Sequence, residues 1–475
     1  AAPRGGLLAA ARPTAEDRFL LGQVATCAAA MVADPLLGLV DTAWVGRLGT
    51  LKLAAMGPNN TLYTTIIAVL ASTSLCTAAT RLVAQSLAAR DPARTRGLVA
   101  CVAAATFAVG LLLAGLLLAF PEPLLRAVGC ADVLLGPAGA YLRVRALGVP
   151  FALLLVGLQG CYNAATDTVT PLVAILATGV LNGVLDPVLM FGLGWGVAGA
   201  AAATVAAQAL AALALAWLVF AGRDRAVFGF GVRGGQAEAT GAASWARRLR
   251  RAGAVLAAYL GETLTFMLRA VNVVAVWSLT STAAARLGVV ETAAHQLVLG
   301  LFVFLNNAMT SFSTIGTVAA ARRLETEGAP GVRRVGNRLL GYAAALSAAI
   351  GAGFYLCRGP MIAAFTAAPA VPLASTAAMV PTAAMAAGLW LKVPEGVLIG
   401  AGDGRYVSLA FVPAFAVTAA GLWATGRWGL GLPGIWAALL AYYVVLITSF
   451  LYRWLTRAGA GGWAPPAAAE EGSPS

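Results

Sequence analysis

The stretch Leu36-Leu37-Gly38-Leu39-Val40-Asp41-Thr42-Ala43-Trp44-Val45-Gly46-Arg47-Leu48-Gly49 closes the first long apolar run of a 475-residue chain, and it carries an acid. The run reaches back to about residue 19. That is too long for a membrane strand of about ten residues with alternating polarity, and long enough for a helix crossing a hydrocarbon core of roughly 30 Å. Working outward, comparable runs recur at 53–84, 97–120, 132–162, 169–193, 196–221, 252–282, 289–320, 335–357, 371–400, 405–426 and 432–456. About twelve such spans predict an all-α polytopic membrane protein, because a backbone in lipid must satisfy its own hydrogen bonds. Composition agrees: 60% of residues are hydrophobic and 11% are charged, against about 25% charged in soluble domains.

The net charge of +13 does not point to nucleic acid, because the basic residues fall in short clusters between apolar runs. If the helices alternate across the membrane, one side collects the termini, Arg81, Arg90, Arg94, Arg96, the cluster Arg247 to Arg251, Arg322, Arg323, Arg333, Arg334 and Arg338. The other side holds Arg47, Lys52, Arg126, Arg286, Arg358 and Arg427. Positive charge stays on the cytoplasmic side or its equivalent, which places both termini there, and an odd number of helices would destroy the bias. The six cysteines lie mostly inside apolar runs without metal-ligand spacing and read as small core residues.

The end of the opening stretch returns later in the chain. Arg47-Leu48-Gly49 with Leu53-Ala54-Ala55 is matched by Arg286-Leu287-Gly288 with Thr292-Ala293-Ala294. At nearly the same offset, Gln159-Gly160 with Asp167 matches Glu395-Gly396 with Asp403, and Gly196 with Gly199 matches Gly431 with Gly434. Three matches in register indicate a duplication. An offset of six helices keeps both copies in one orientation, so two six-helix lobes are expected, related by a pseudo-two-fold axis along the membrane normal. The resulting division is an N-terminal tail at 1–18, an N-lobe at 19–221, a linker at 222–248 on the side of the termini, a C-lobe at 249–457 and a tail at 458–475 expected to be disordered.

The intramembrane polar residues carry the function. A carboxylate at mid-membrane depth costs roughly 2.5 to 3.5 kcal/mol on insertion scales and is kept for a reason. Asp41 follows Pro35, a residue that frees a backbone carbonyl and bends a helix, and the acid is either a proton-binding group or a static helix-end carboxylate. Asp34 sits two turns before Asp41, on a similar face. Asp186 follows Asn182 by one turn, and Pro187 leaves open that the acid merely ends a helix. Thr204 and Gln208 share the same spacing on the next helix, where they can either bond the acid or join helices. Glu262 is either an intrabilayer acid or a helix N-terminal one. Glu395 has Lys392 as a local partner, and Glu291 is expected in a loop. Arg143, Arg145 and Arg269 are expected to snorkel or to pair with a carboxylate. The lone His295 has no partner for a metal site and reads as a packed histidine.

In this order, several elements resemble the multidrug and toxic compound extrusion (MATE) family, most of all its DNA-damage-inducible protein F branch. They are Val40 to Gly49 with Leu53-Ala54-Ala55, Gln159-Gly160 to Asp167, Asn182 with Asp186-Pro187, Trp195 to Gly199, Ala293-Ala294-His295-Gln296, Gly396 to Asp403 and Gly434-Ile435-Trp436-Ala437. The resemblance implies a twelve-helix antiporter that exports organic cations, drugs or metabolites against a proton or sodium gradient, with no cofactor. It also implies that Asp41 is the proton-binding acid of a first helix that bends near Pro35, and that Tyr141, Asn182, Asp186 and Thr204 form its polar network. Gln159 stands where some relatives carry Asn, and Glu262 resembles the seventh-helix acid of the eukaryotic and sodium-type members.

The expected activity is therefore proton-coupled export by alternating access, with Asp41, Asp186 and Glu262 as ion-coupling residues. The expected partners are a small, cationic organic substrate and the bilayer, without nucleic acid, for a chain acting as a monomer. The rivals are sodium coupling and a flippase for lipid-linked precursors, which would need a cationic cavity. An enzyme is not expected, since no Ser/His, His/Asp or metal-ligand spacing is present. The Ala- and Arg-rich start, poor in acids, is compatible with an organelle-targeting remnant, so both the plasma membrane and an organelle such as the plastid envelope are expected locations.

Overall fold

A computed structural model describes residues 14–63, 73–230, 242–357, 359–360 and 370–459. The first helix, α1 (Ala15–Gly46), starts on a reciprocal cap: the Asp17 amide donates to the Thr14 hydroxyl at 3.2 Å, and the Thr14 amide donates back to the Asp17 carboxylate at 2.8 Å. The last residues of the stretch read as a tail are therefore helical. At 32 residues and 1.5 Å per residue, α1 is about 48 Å long and spans the core with a turn or more to spare. It holds Asp34, Pro35 and Asp41 on its backbone, but their side chains lie outside the described residues.

The rest of the first half follows as α2 (Thr50–Tyr63), α3 (Thr73–Ala88), α4 (Pro92–Ala119), α5 (Pro121–Ala127), α6 (Asp132–Leu147), α7 (Val149–Ala164), α8 (Val169–Pro187) and α9 (Gly196–Phe220). A helix pair, α6 and α7, turns by 48° at Gly148 and makes one broken span. Its Pro150 lacks the amide that would extend the α6 ladder. In the second half come α10 (Ala242–Ala285), α11 (Val289–Leu356), α12 (Ala370–Ala387), α13 (Lys392–Gly400), α14 (Gly404–Trp428) and α15 (Gly431–Gly459). The start of α10 makes the end of the stretch read as linker helical.

Among the described residues, eight helices are long and apolar enough to cross a membrane, or nine with the bent pair. The difference from twelve has local causes. One is α11, whose 68 residues break at Gly328 (φ 67°, ψ −159°) two residues before Pro330. That backbone conformation is open to glycine alone, so α11 is two spans meeting at a sharp turn. Another is the pair α2 and α3, which stand on either side of residues 64–72, outside the description. With α1, which is not among those eight, the helices grouped this way form two sets of six, the expected two-lobed all-α fold. The lobes meet where α1 packs on α11 and where α3 packs on α10 and α11.

The duplication reappears as the same contact made twice. In the N-lobe, Thr80 donates its hydroxyl to the Gly160 carbonyl at 3.2 Å; in the C-lobe, Thr317 donates to the Gly396 carbonyl at 3.0 Å. Both bonds need backbones in close approach. A Cβ on Gly160 would stand 2.8 Å from the Cys76 carbonyl oxygen, and one on Gly396 would stand 2.1 Å from that of Ser313. Small residues let membrane helices approach this closely, where packing and hydroxyl bonds drive association. We therefore expect Gly396→Val to destabilise the C-lobe by about 3 kcal/mol or more, since backbone cannot yield to an inserted side chain as a flexible tip can. Thermal unfolding in detergent checks this, and a melting curve like that of the unmodified protein would contradict it.

Candidate functional site

Between the lobes lies a cavity of about 760 Å³, within the usual range for small-molecule sites of about 300 to 1,000 Å³. Its N-lobe wall includes Tyr141, Gln159, Asn182 and Thr204, so four residues singled out from the sequence face one space. The wall also holds Asn60, Asn163 and Thr80, and α11 contributes Asn307, Thr310, Ser313, Thr314 and Thr317 from the other side. The cavity is therefore rich in amides and hydroxyls, which both donate and accept. Thr80 and Thr317 line it too, so the two matching glycine contacts flank the cavity.

Asp186 lies behind this wall, fully buried. The Asn182 amide donates to its carboxylate at 3.3 Å, one helical turn away, and Asn182 itself faces the cavity. Sequence spacing predicted this pair. It also raised Thr204 and Gln208 either as partners for the acid or as joints between helices, and Gln208 does the second. The Thr204 hydroxyl donates to the Ala200 carbonyl one turn back at 2.9 Å, and the Gln208 amide oxygen accepts from Arg145 at 2.8 Å. A hydroxyl one turn from a carbonyl bonds locally at little entropic cost. Arg145 stacks on the Tyr63 ring at 4.1 Å and lines the cavity, whereas Arg143 points away and is exposed.

In the C-lobe, Arg269 also lines the cavity. It pairs with Glu395 at 2.9 Å, and Lys392 approaches the same carboxylate at 3.3 Å. The local Lys392 partner was legible; Arg269, on another helix, was not. His295 is buried against the Trp436 ring at 5.5 Å, the packed position expected of it. Glu291, expected in a loop, is in the first turn of α11. Among the described residues, no group of three or more His, Cys, Asp or Glu could hold a metal ion. Cys27, Cys130 and Cys161 are buried, as core residues should be, while Cys357 is exposed.

Glu262 is not part of the cavity wall. It forms an ion pair with Arg81, joining α10 to α3 across the lobes. Further links cluster at the same end, which carries the start of α1. Arg323 reaches Glu16 at 2.6 Å, Arg338 reaches Glu16 at 3.4 Å and Asp17 at 3.3 Å, and Arg322 donates to the Ala164 carbonyl at 2.8 Å. The Tyr259 hydroxyl donates to the Leu75 carbonyl at 3.1 Å. The sequence reading placed these arginines by topology alone and did not foresee that they fasten one lobe to the other. Their partners are hundreds of residues away, and no local spacing signals them.

Comparison with known proteins follows this geometry. The MatE family model matches residues 27–188. Protein DETOXIFICATION 44, chloroplastic, of Arabidopsis thaliana is 26% identical over 91% of this chain and 81% of its own length. DNA damage-inducible protein F of Escherichia coli strain K12 is 33% identical over 37% of this chain and 38% of its own. A solved structure described as MATE in the bent conformation superposes with a TM-score of 0.83, covering 94% of this chain and 97% of the other at 18% identity, a likeness of fold.

Fastened lobes give a prediction. Cys27 and Cys76 line the cavity, and Glu262→Gln removes the charge that holds Arg81 across the gap. Their labelling by a polar thiol reagent added from the side of the N-terminus should accelerate on the order of tenfold, the factor that about 1.4 kcal/mol of lost pairing gives. An unchanged rate would contradict a closing role for the pair.

Proposed function

We propose that this chain, a member of the MATE family of membrane transporters by the matches above, exports small organic compounds in exchange for protons by alternating access. The observation that carries the reading is the cavity between the lobes, with Asp186 buried behind its wall and bonded to the wall residue Asn182. A carboxylate inside the membrane is costly and marks a functional site, and proton exchange there is the role assigned to Asp186. Asp186 is linked to the cavity through Asn182, and Asp41 belongs to the first helix, which packs against both α8 and α11. A change of charge on that helix is well placed to alter contacts with both lobes.

In this reading Asp41 and Asp186 are the coupling acids, and Tyr141, Asn182, Thr204 and Gln159 line the path between them and the cargo, with Asp34 and Pro35 on the bending helix. Glu262 takes part by opening and closing its pair with Arg81 rather than by touching cargo. The cationic cargo that the resemblance implied would be matched by Asp34 and Asp41. The positive-inside rule assigns the fastened end to the cytoplasmic or equivalent side. The chloroplastic relative supports a plastid envelope as one membrane to examine, and a monomer is the proposed working state.

The test is uptake into liposomes with an acidic interior, using ethidium as a cationic probe and succinate as an anionic one. Uptake of at least one should collapse when the pH gradient is dissipated, and should fall by at least about tenfold in Asp41→Asn and in Asp186→Asn, as expected for loss of an intramembrane coupling charge. Undiminished uptake in both variants would overturn the assignment of the acids. A sodium gradient that drives uptake without a pH gradient would overturn proton coupling in favour of sodium.

A further inference from the structure

The stretch read as a linker begins with a segment that is packed rather than free. After α9 ends, the Gly222 amide donates to the Trp217 carbonyl at 2.7 Å and the Phe230 amide to the Arg225 carbonyl at 2.7 Å, so residues 222–230 fold into a short strap. Phe228, fully buried, meets the Tyr162 ring edge to face with the ring centres 5.4 Å apart. Beside it, the Tyr162 hydroxyl donates to the Asp224 carboxylate at 2.9 Å. Gly229, with φ 80°, lies against the start of α4, where a Cβ would stand 2.3 Å from the Pro92 carbonyl oxygen. A buried ring, a hydrogen bond and a close fit at glycine thus attach the strap to the N-lobe.

What the strap holds is the turn between α7 and α8. Tyr162 lies in the last turn of α7, and Arg223 donates to the Thr170 hydroxyl in the first turn of α8 at 3.4 Å. Between them Thr166 has φ 62°, a left-handed backbone that is costly for a β-branched residue and persists only where the surroundings impose it. The matching turn of the C-lobe has Gly402 at that place, with φ 97°, which glycine adopts freely. That turn is braced by a helix: Arg453 of α15 donates twice to the Asp403 carboxylate, at 2.9 Å and 3.2 Å. In the N-lobe, the register that pairs Gly196 with Gly431 puts Leu218 where Arg453 stands. Asp167 accepts from the Val169 and Thr170 amides at 3.1 Å and 2.9 Å instead, and the strap supplies the brace that α9 lacks.

The braced turn bears contacts that close the fastened end. Ala164 offers the carbonyl that accepts from Arg322 of the C-lobe at 2.8 Å, and the hydroxyl of Thr168, which lines the cavity, donates to Gln23 of α1 at 2.9 Å. We propose that Tyr162, Asp224 and Phe228 are positioning residues of this closure. The strap fixes the turn so that Ala164 and Thr168 meet the C-lobe and α1, and it acts through the turn without touching cargo. This rests on the reading that the lobes part at this end, and on neither proton coupling nor the cargo.

Thiol labelling tests the strap with no gradient and no cargo, so a failure here is separable from a failure of the uptake assay. The full chain is placed in proteoliposomes in one orientation, and a polar thiol reagent is added from either side. Labelling of Cys27 and Cys76, both on the cavity wall, is followed by mass spectrometry of their peptides. Tyr162→Phe keeps the ring on Phe228 and loses the hydroxyl. Asp224→Ala loses the acceptor at a side chain 19% exposed, so it is expected to fold. Each should speed labelling from the side of the N-terminus by about fivefold, as the net loss of one hydrogen bond allows. Labelling from the other side should not accelerate, and the melting temperature should hold. The double variant should be no faster than either single one, as for two ends of one contact. Asp224→Asn, whose amide oxygen still accepts, should stay near the unmodified rate.

Unchanged labelling in both Tyr162→Phe and Asp224→Ala would overturn the proposal. So would equal acceleration from both sides with a lowered melting temperature, which marks a general support of the fold. Additive effects in the double variant would overturn the pairing of the two residues as one brace.

Discussion

The structure depends on a close approach of helices that only glycine permits, made at matching places in the two lobes. Gly160 lets α7 settle against α3, and Gly396 lets α13 settle against α11, close enough for Thr80 and Thr317 to bond the glycine carbonyls. In lipid there is no water to drive helices together, so such contacts supply the cohesion of each lobe. They also set the site. Both threonines line the cavity, which therefore opens between two rigid units that present matching surfaces to each other.

Chemistry then breaks the symmetry of the scaffold. The N-lobe buries Asp186 beside a cavity-lining amide, whereas the corresponding region of the C-lobe, around Gly421, packs a glycine against Ala438. The C-lobe instead buries Glu395 between two cations, where the first copy has the neutral Gln159. Among the described residues, each lobe thus has a buried carboxylate near the shared space: Asp186 accepts from the Asn182 amide, and Glu395 pairs with Arg269 and Lys392.

Much of this architecture was legible in the sequence because a membrane imposes length. Run lengths located the helices, and the break in α11 fell between the runs 289–320 and 335–357, where Gly328 and Pro330 sit. Pairs one turn apart, such as Asn182 with Asp186 and Lys392 with Glu395, were legible because helical periodicity brings them together. Pairs joined by folding alone were not. Arg81 with Glu262, Arg338 with Asp17 and Arg269 with Glu395 lie on different helices, and nothing local marks one as the partner of the other. Thr204 lines the cavity, while its hydroxyl is satisfied by the carbonyl one turn back.

The account's central claim is that the lobes move against each other and that protonation of the first lobe biases the movement. The most direct measurement is the distance between spin labels at the exposed positions Arg96 in α4 and Arg405 in α14. They stand on opposite lobes at the fastened end, and the native thiols would be replaced. Two distance populations are expected, with a ratio that shifts between about pH 5.5 and pH 8 as an intramembrane acid titrates, and with Asp41→Asn held in one population at both. A single distance, or a ratio indifferent to both pH and Asp41, would contradict it.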